Sequence, residues 1–173
     1  MSTPILSVRI EAEWHGGAVG PEHWITIHML DMEPGIQLRI TAPFYGDPAP
    51  PTTPVGPTDG LWEFEVVEVF IAGPGEQYLE IELSPTGHYL VLELNGIRRP
   101  VRTLLPIDFR AEVVGDQWTG VANIPQDLLP SGPLRFNATA IHGAGTARTY
   151  LSAVPLPGPQ PDFHQVNCFR TLG

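Results

Sequence analysis

Proline and glycine interrupt this chain so often that they leave little room for a long helix. The sequence contains 20 Pro and 18 Gly among 173 residues. Proline lacks the amide hydrogen that a helix needs, and both residues favour turns. Short strands joined by loops are therefore the expected architecture, and the sequence predicts an all-β fold.

Alternation of apolar and polar side chains gives the positions of the strands. Residues 6–14 alternate with a period of two, which is typical of a half-buried strand. The same signals predict further strands at 24–30, 36–40, 61–71, 77–83, 88–94, 109–114, 118–123, 134–142 and 146–153. We interpret this pattern as an antiparallel β-sandwich of roughly nine or ten strands in one domain, residues 1–173, with the Pro-rich stretch 42–60 as a long internal loop.

Charge and composition exclude several classes of partner. The chain carries 19 acidic and 9 basic residues, a net charge of −10, so its surface repels nucleic acid and anionic membranes. Cys168 is the single cysteine, which rules out an intrachain disulfide and a cysteine-based zinc site. The opening residues have neither a basic start nor a continuous apolar segment, and no stretch is long enough to span a membrane, so we expect a cytoplasmic protein.

The strand at 77–83 predicts an acidic surface. Its leucine and isoleucine side chains face the core, which leaves Tyr78, Glu80 and Glu82 on the opposite face. In the strand at 88–94 the same reasoning turns His88, Leu90, Leu92 and Leu94 to the core. It leaves Tyr89, Val91 and Glu93 outside, so that Glu93 lies beside these glutamates. The surface is either a solvated sheet face with loosely paired charges or a face that binds a ligand.

The strand at 61–71 is apolar on both faces, which is typical of a central, covered strand. At least one of its carboxylates Glu65 and Glu68 is then expected to be partly buried, and a buried carboxylate needs an arginine, a metal or several hydrogen-bond donors. A Ca²⁺ site is one way to satisfy this need, although no Asp-rich calcium loop is present.

A second polar cluster lies nearer the C-terminus and contains His142, Arg148, Tyr150, Asp162 and His164. Two histidines and an aspartate are a possible zinc or iron site, and hydrogen-bonded structural histidines are the alternative. Arg148 and Tyr150 share a strand face, an arrangement that suits a polar ligand such as a sugar or a salt bridge to the glutamates.

No catalytic motif is present. The sequence lacks a GxSxG elbow and a phosphate-binding glycine loop, and nothing in it activates Cys168. A non-catalytic binding role is favoured, with a metal-dependent enzyme or a protein-interaction domain as alternatives. No organic cofactor is predicted, and the oligomeric state stays open.

Several motifs resemble those of a family of small DOMON-like proteins related to carbohydrate-binding module family 9. They are APF at 42–44, EVVEVF at 65–70, QYLEIEL with SPTG at 77–87, AIHG at 140–143, RTY at 148–150 and PDFH at 161–164. This resemblance implies a β-sandwich with a sugar-binding face of aromatic, arginine and carboxylate side chains. The matching positions are Trp62, Glu65, Glu68, Glu80, Arg98, Asn137 and Arg148.

Together, these lines of reasoning predict a binding face for carbohydrate or another small polar ligand. Its predicted residues are Trp62, Glu65, Glu68, Glu80, Glu82, Arg98, Asn137, His142, Arg148, Tyr150 and His164.

Overall fold

Two antiparallel sheets make up the fold in a computed structural model that describes residues 4–172. The strands are β1 (Pro4–Ile10), β2 (Ile25–Asp31), β3 (Gly35–Pro43), β4 (Val66–Ala72), β5 (Gln77–Leu83), β6 (Tyr89–Asn95), β7 (Pro100–Arg102), β8 (Asp108–Val114), β9 (Gln117–Pro125), β10 (Arg135–His142), β11 (Thr149–Ser152) and β12 (Arg170–Thr171). Helical structure is limited to short 3₁₀ segments at Pro21–His23, Leu61–Glu63, Gln126–Leu128, Gly145–Ala147 and Val166–Cys168. The predicted all-β sandwich is confirmed.

The first sheet has five strands in the order β1-β2-β3-β9-β8. The second has the order β11-β10-β4-β5-β6-β7, with β12 also paired to β10. The strands β7 and β12 have three and two residues, too few to leave an alternation pattern, so the sequence predicted roughly nine or ten strands where the described residues form twelve.

The main hydrophobic core lies between the two sheets. Leu38 and Trp118 of the first sheet belong to it, together with Val69, Ile81 and Val91 of the second. These side chains are almost fully buried, and they come from alternate positions of their strands, as the pleat of a β-strand requires.

A second core covers the opposite, outer face of the second sheet. The strands contribute Phe70, Tyr78 and Leu90, and the cover contributes Phe163 and Phe169 from the Pro-rich segment that follows β11. We call residues 155–169 the C-terminal cover. It explains why β4 is buried at every position and why its sequence is apolar on both faces.

The predicted strand 61–71 begins later than expected. Gly60 has a left-handed backbone with φ of 70°, and Leu61–Glu63 then forms a 3₁₀ turn before β4 starts at Val66. Trp62 lies in this turn and not in the strand, and 43% of its surface stays exposed.

The predicted faces of β6 are wrong. Tyr89 lies opposite Leu83 in the β5–β6 pair, so Tyr89 and Val91 face the core between the sheets, and Leu90 and Leu94 face the C-terminal cover. Both faces are apolar because both are covered, and alternation alone therefore did not distinguish them.

The observed faces of β6 also place Glu93 differently from the prediction. It lies opposite Leu79, on the other side of the sheet from Glu80 and Glu82, and pairs with Arg102 of β7. The predicted row of three neighbouring acids is therefore broken at Glu93.

In the described part of the chain, we find no helix with the length and apolar character needed to cross a membrane.

Candidate functional site

A cleft of about 260 Å³ opens on the outer face of the second sheet, beside the C-terminal cover. Its lining residues are Trp62, Glu68, Glu80, Leu92, Leu94, Arg98, Pro100, Ile141, Tyr150, Pro161, Phe163 and His164. Strands β4, β5 and β6 supply the floor, and the β6–β7 turn, β11 and the C-terminal cover supply the walls.

The structure brings six of the predicted ligand-binding residues to this cleft. They are Trp62, Glu68, Glu80, Arg98, Tyr150 and His164. Two more lie next to it. Glu82 is fully buried beside Glu68 and Glu80, and the Arg148 guanidinium lies 5.7 Å from the ring centre of Tyr150.

Three glutamates form a compact group at the floor, which we call the glutamate cluster: Glu68, Glu80 and Glu82. Glu68 of β4 lies directly opposite Glu82 of β5, and Glu80 is two positions away on the same face. One carboxylate oxygen from each lies within 4.8 Å of the others. Their exposed fractions are 2%, 4% and 0%, so all three acids are removed from water. Glu68 is buried, as expected for at least one acid of its strand, and the alternative of a solvated face is wrong for Glu80 and Glu82.

The hydrogen bonds available to the cluster are few. Thr139 donates from Oγ1 to Oε2 of Glu68 at 3.0 Å. His164 Nε2 lies 3.7 Å from Oε2 of Glu80. Neither carboxylate oxygen of Glu82 has a hydrogen-bond partner among the described residues. Its contact with the Glu80 carboxyl becomes a hydrogen bond only if one of the two groups carries a proton.

Burial changes the acidity of the cluster. Loss of water, reinforced by the charge of Glu80, raises the pKa of Glu68 to about 8. Burial likewise raises the pKa of Glu80 to about 7 and that of Glu82 well above its usual range. At neutral pH the negative charge of the cluster must therefore be reduced, by bound protons or by a cation.

His164 and Arg98 are connected through Tyr78. The Tyr78 hydroxyl lies 2.7 Å from Nδ1 of His164 and accepts the backbone N–H of Arg98 at 3.0 Å. Burial lowers the pKa of His164 to about 4, so its imidazole is neutral at neutral pH. The Arg98 side chain donates to Asp162 at 2.8 Å and stays at the exposed rim.

Arg148 holds Trp62 at the cleft by contacts to the main chain. Its guanidinium donates to the carbonyl oxygens of Trp62, Glu63 and Gly143. The sequence predicted that this guanidinium contacts a ligand or the glutamates, but three of its donors bond main-chain oxygens. The described residues form no Arg148–glutamate salt bridge.

Three predicted site residues lie elsewhere. Asn137 is fully buried and bonds Ser152 and the backbone of Val154. Glu65 accepts the backbone N–H groups of Tyr45 and Gly46 at 2.8 and 3.0 Å. These contacts satisfy its buried carboxyl group, and burial raises the pKa of that carboxyl group.

His142, the third, stacks on the Tyr45 ring with 3.8 Å between ring centres. His164 instead contacts Tyr78, and Asp162 pairs with Arg98. The predicted metal set of two histidines and Asp162 is therefore not assembled. Within residues 4–172, the group of three that is close enough to share an ion is the glutamate cluster.

Sequence reasoning missed apolar lining residues of the cleft, among them Leu92, Leu94 and Pro100. Leu92 and Leu94 lie on the face of β6 that the sequence predicted to meet the core. The sequence feature that could have revealed them is that both faces of β6 are apolar. Such a strand is covered on both faces, and a ligand site can lie beside the second covering layer.

Two solved structures share this architecture. A putative carbohydrate-binding protein from Bacteroides uniformis aligns with a TM-score of 0.73 and 15% identity, over 96% of this chain and 84% of that one. A carbohydrate-binding module of family 9 from Caldicellulosiruptor kristjanssonii, in complex with cellotriose, aligns with a TM-score of 0.54 and 10% identity, over 95% and 78%. At these identities the likeness shows the fold.

Sequence relatives are considerably closer, although no family model matches the chain. The UPF0462 protein C4orf33 homolog of Danio rerio is 42% identical over 154 residues, which cover 84% of this chain and 78% of that protein. The human UPF0462 protein C4orf33 is 37% identical over 175 residues, covering 96% and 87%. At this identity and coverage, the chain belongs to the UPF0462 family.

Proposed function

We propose that this protein is a non-catalytic binding domain that holds a carbohydrate, or a similar polyhydroxylated ligand, in the cleft above the glutamate cluster. One observation carries the proposal. A half-exposed tryptophan ring, apolar walls and buried carboxyl groups converge on a single cleft on the outer face of the second sheet.

These surfaces match the two kinds of surface that a sugar ring presents. Its C–H face packs against an aromatic ring, and Trp62 and Tyr150 supply such rings at the cleft. Its hydroxyl groups need hydrogen-bond partners, and the floor offers the carboxyl groups of Glu68 and Glu80, which line the cleft. Each hydrogen bond to a neutral carboxyl group contributes roughly 0.5–1.5 kcal/mol, and a bond to an ionised one contributes more.

The size of the cleft limits the ligand. Small-molecule pockets commonly measure roughly 300–1,000 Å³, and the cleft, at about 260 Å³, lies just below that range. We therefore expect a mono- or disaccharide, or the end of a longer chain, in the cleft. The names of the two similar solved structures, a putative carbohydrate-binding protein and a family 9 module bound to cellotriose, support this choice of ligand class.

The test is isothermal titration of the purified protein against a panel of neutral mono- and disaccharides. At least one should bind, and Trp62→Ala should weaken that binding about tenfold or more, equivalent to about 1.4 kcal/mol. Val114→Ala, which removes an exposed apolar side chain on the first sheet, is the matched control and should bind like the wild type. Absence of binding across the panel, or equal binding by Trp62→Ala, would overturn the proposal.

A further inference from the structure

We infer that Glu68, Glu80 and Glu82 form a binding site for a divalent cation that prefers oxygen ligands, such as Ca²⁺ or Mn²⁺, at the floor of the cleft. The inference does not depend on the proposed carbohydrate binding, because it rests on the glutamate cluster alone.

The spacing of the three carboxylates suits one ion. Calcium–oxygen distances of about 2.3–2.6 Å place two oxygens on opposite sides of an ion about 5 Å apart. One oxygen from each of the three glutamates lies within 4.8 Å of the others. A single ion can therefore contact all three groups, and the direct pairing of Glu68 with Glu82 across two central strands keeps this spacing rigid.

Glu82 gives an independent reason to expect a ligand. It is fully buried, and neither of its oxygens has a partner within the described residues. Nearly all buried polar groups in proteins are hydrogen-bonded or coordinate a metal, because an unpaired buried charge is very costly. The Glu82 side chain points into the glutamate cluster, where a bound cation could be coordinated by its oxygens.

The neighbouring basic groups do not supply that cation. Arg98 pairs with Asp162, and Arg148 donates to three carbonyl oxygens. His164 Nε2 is 3.7 Å from Oε2 of Glu80, beyond hydrogen-bond distance, and it leaves both oxygens of Glu82 without a partner. Across residues 4–172, no arginine or lysine forms a salt bridge to any of the three glutamates.

The donor type selects the class of ion. Three carboxylates without thiolates favour hard cations over zinc or copper. Because Ca²⁺ takes six to eight oxygen ligands, three side chains leave positions for water. The cleft adjoins Glu68 and Glu80 and provides room for these waters.

The experiment uses full-length protein treated with EDTA and then desalted, with no carbohydrate present. Isothermal titration with CaCl₂ or MnCl₂ should show one bound ion per chain, accompanied by a rise in melting temperature. Terbium should also bind, and its luminescence should be sensitised by excitation of tryptophan, since Trp62 lines the cleft. Glu82→Gln should weaken cation binding by tenfold or more.

Glu93→Gln is the matched control, because it removes a glutamate from the opposite face of the same sheet and should leave cation binding unchanged. Glu82→Gln keeps the side-chain shape and removes a buried charge, so we expect it to fold. If it does not, Glu80→Gln must show the same loss. A protein that binds neither cation, or a Glu82→Gln variant that binds like the wild type, would overturn the inference. Bound protons would then be what reduces the negative charge of the glutamate cluster. A failed carbohydrate titration would leave it intact.

Discussion

Asn137 shows how one buried amide can organise the junction between two strands. Its Nδ2 donates to Oγ of Ser152 at 3.0 Å, and its Oδ1 accepts the backbone N–H groups of Ala138 and Val154 at 2.9 and 3.1 Å. The residue is 0% exposed, so water cannot replace these bonds. The resemblance to sugar-binding modules had placed this position in the ligand site, whereas its contacts here support the fold.

We therefore predict that Asn137→Ala lowers stability without affecting ligand binding by the folded protein. The backbone N–H of Val154 would lose a partner inside the protein, and each such loss costs about 1–3 kcal/mol. Urea unfolding should show a decrease of about 2–4 kcal/mol in the free energy of unfolding. Asn95→Ala, at an exposed position on β6, should change it by less than about 0.5 kcal/mol. Wild-type stability in Asn137→Ala would contradict the structural role.

At the scale of elements, the sequence was most informative where one face of a strand is apolar and the other is polar. Strand β5 matches its predicted bounds, because Leu79, Ile81 and Leu83 alternate with polar side chains. The same reasoning gave the wrong faces for strand β6, because leucines lie on one face and Tyr89 and Val91 on the other, so both faces are apolar. Alternation identifies two faces, but the register across the hairpin decides which of them meets the core.

The sequence predicted which types of residue form the candidate site better than it predicted how they are arranged. Glu68 in an otherwise apolar strand indicated a buried acid, and the parity of β5 placed Glu80 and Glu82 together. The C-terminal cover, whose His164 lies beside Glu80, approaches from about 80 residues further along the chain. No local pattern encodes such a long-range contact, so the sequence left open whether this face is solvated or binds a ligand.

The C-terminal cover should contribute strongly to stability through Phe169. This side chain is 6% exposed and packs against Phe70, with 5.7 Å between ring centres. Phe169→Ala should lower the free energy of unfolding by about 3–5 kcal/mol, because it removes apolar contact and leaves a cavity. Chemical denaturation measures this change. Val55→Ala, at a 68% exposed position, should have almost no effect, and equal effects of the two substitutions would contradict the assignment of a second core.

For the whole molecule, the glutamate cluster should make stability depend on pH in an unusual direction. Burial raises the pKa of Glu68 to about 8 in the folded chain from an ordinary value of 4.5. The folded state therefore binds more protons than the unfolded state between these values, and stability falls as pH rises. His142 and His164, with pKa values lowered to about 4, act in the opposite direction below pH 6.5. The effect of the glutamates is thus clearest above about pH 6.5.

In EDTA-treated protein, we predict that the free energy of unfolding decreases by about 1–2 kcal/mol between pH 6.5 and pH 8. Urea denaturation at the two pH values measures this change. Glu68→Gln should reduce the dependence, because an amide does not titrate, and Glu93→Gln should retain it. If stability stays constant or increases over this interval, the three acids are already ionised in the folded chain, and something other than bound protons balances their negative charge.

The position of the C-terminal cover also has a consequence for biosynthesis. The cover follows β1 to β11 in the chain, so a ribosome makes those strands before the segment that packs over the outer face of the second sheet. Until residues 155–169 emerge, the three acids can remain hydrated and ionised on a nascent sheet. Their dehydration is thereby postponed to a late stage of folding, when most strand partners have already been synthesised.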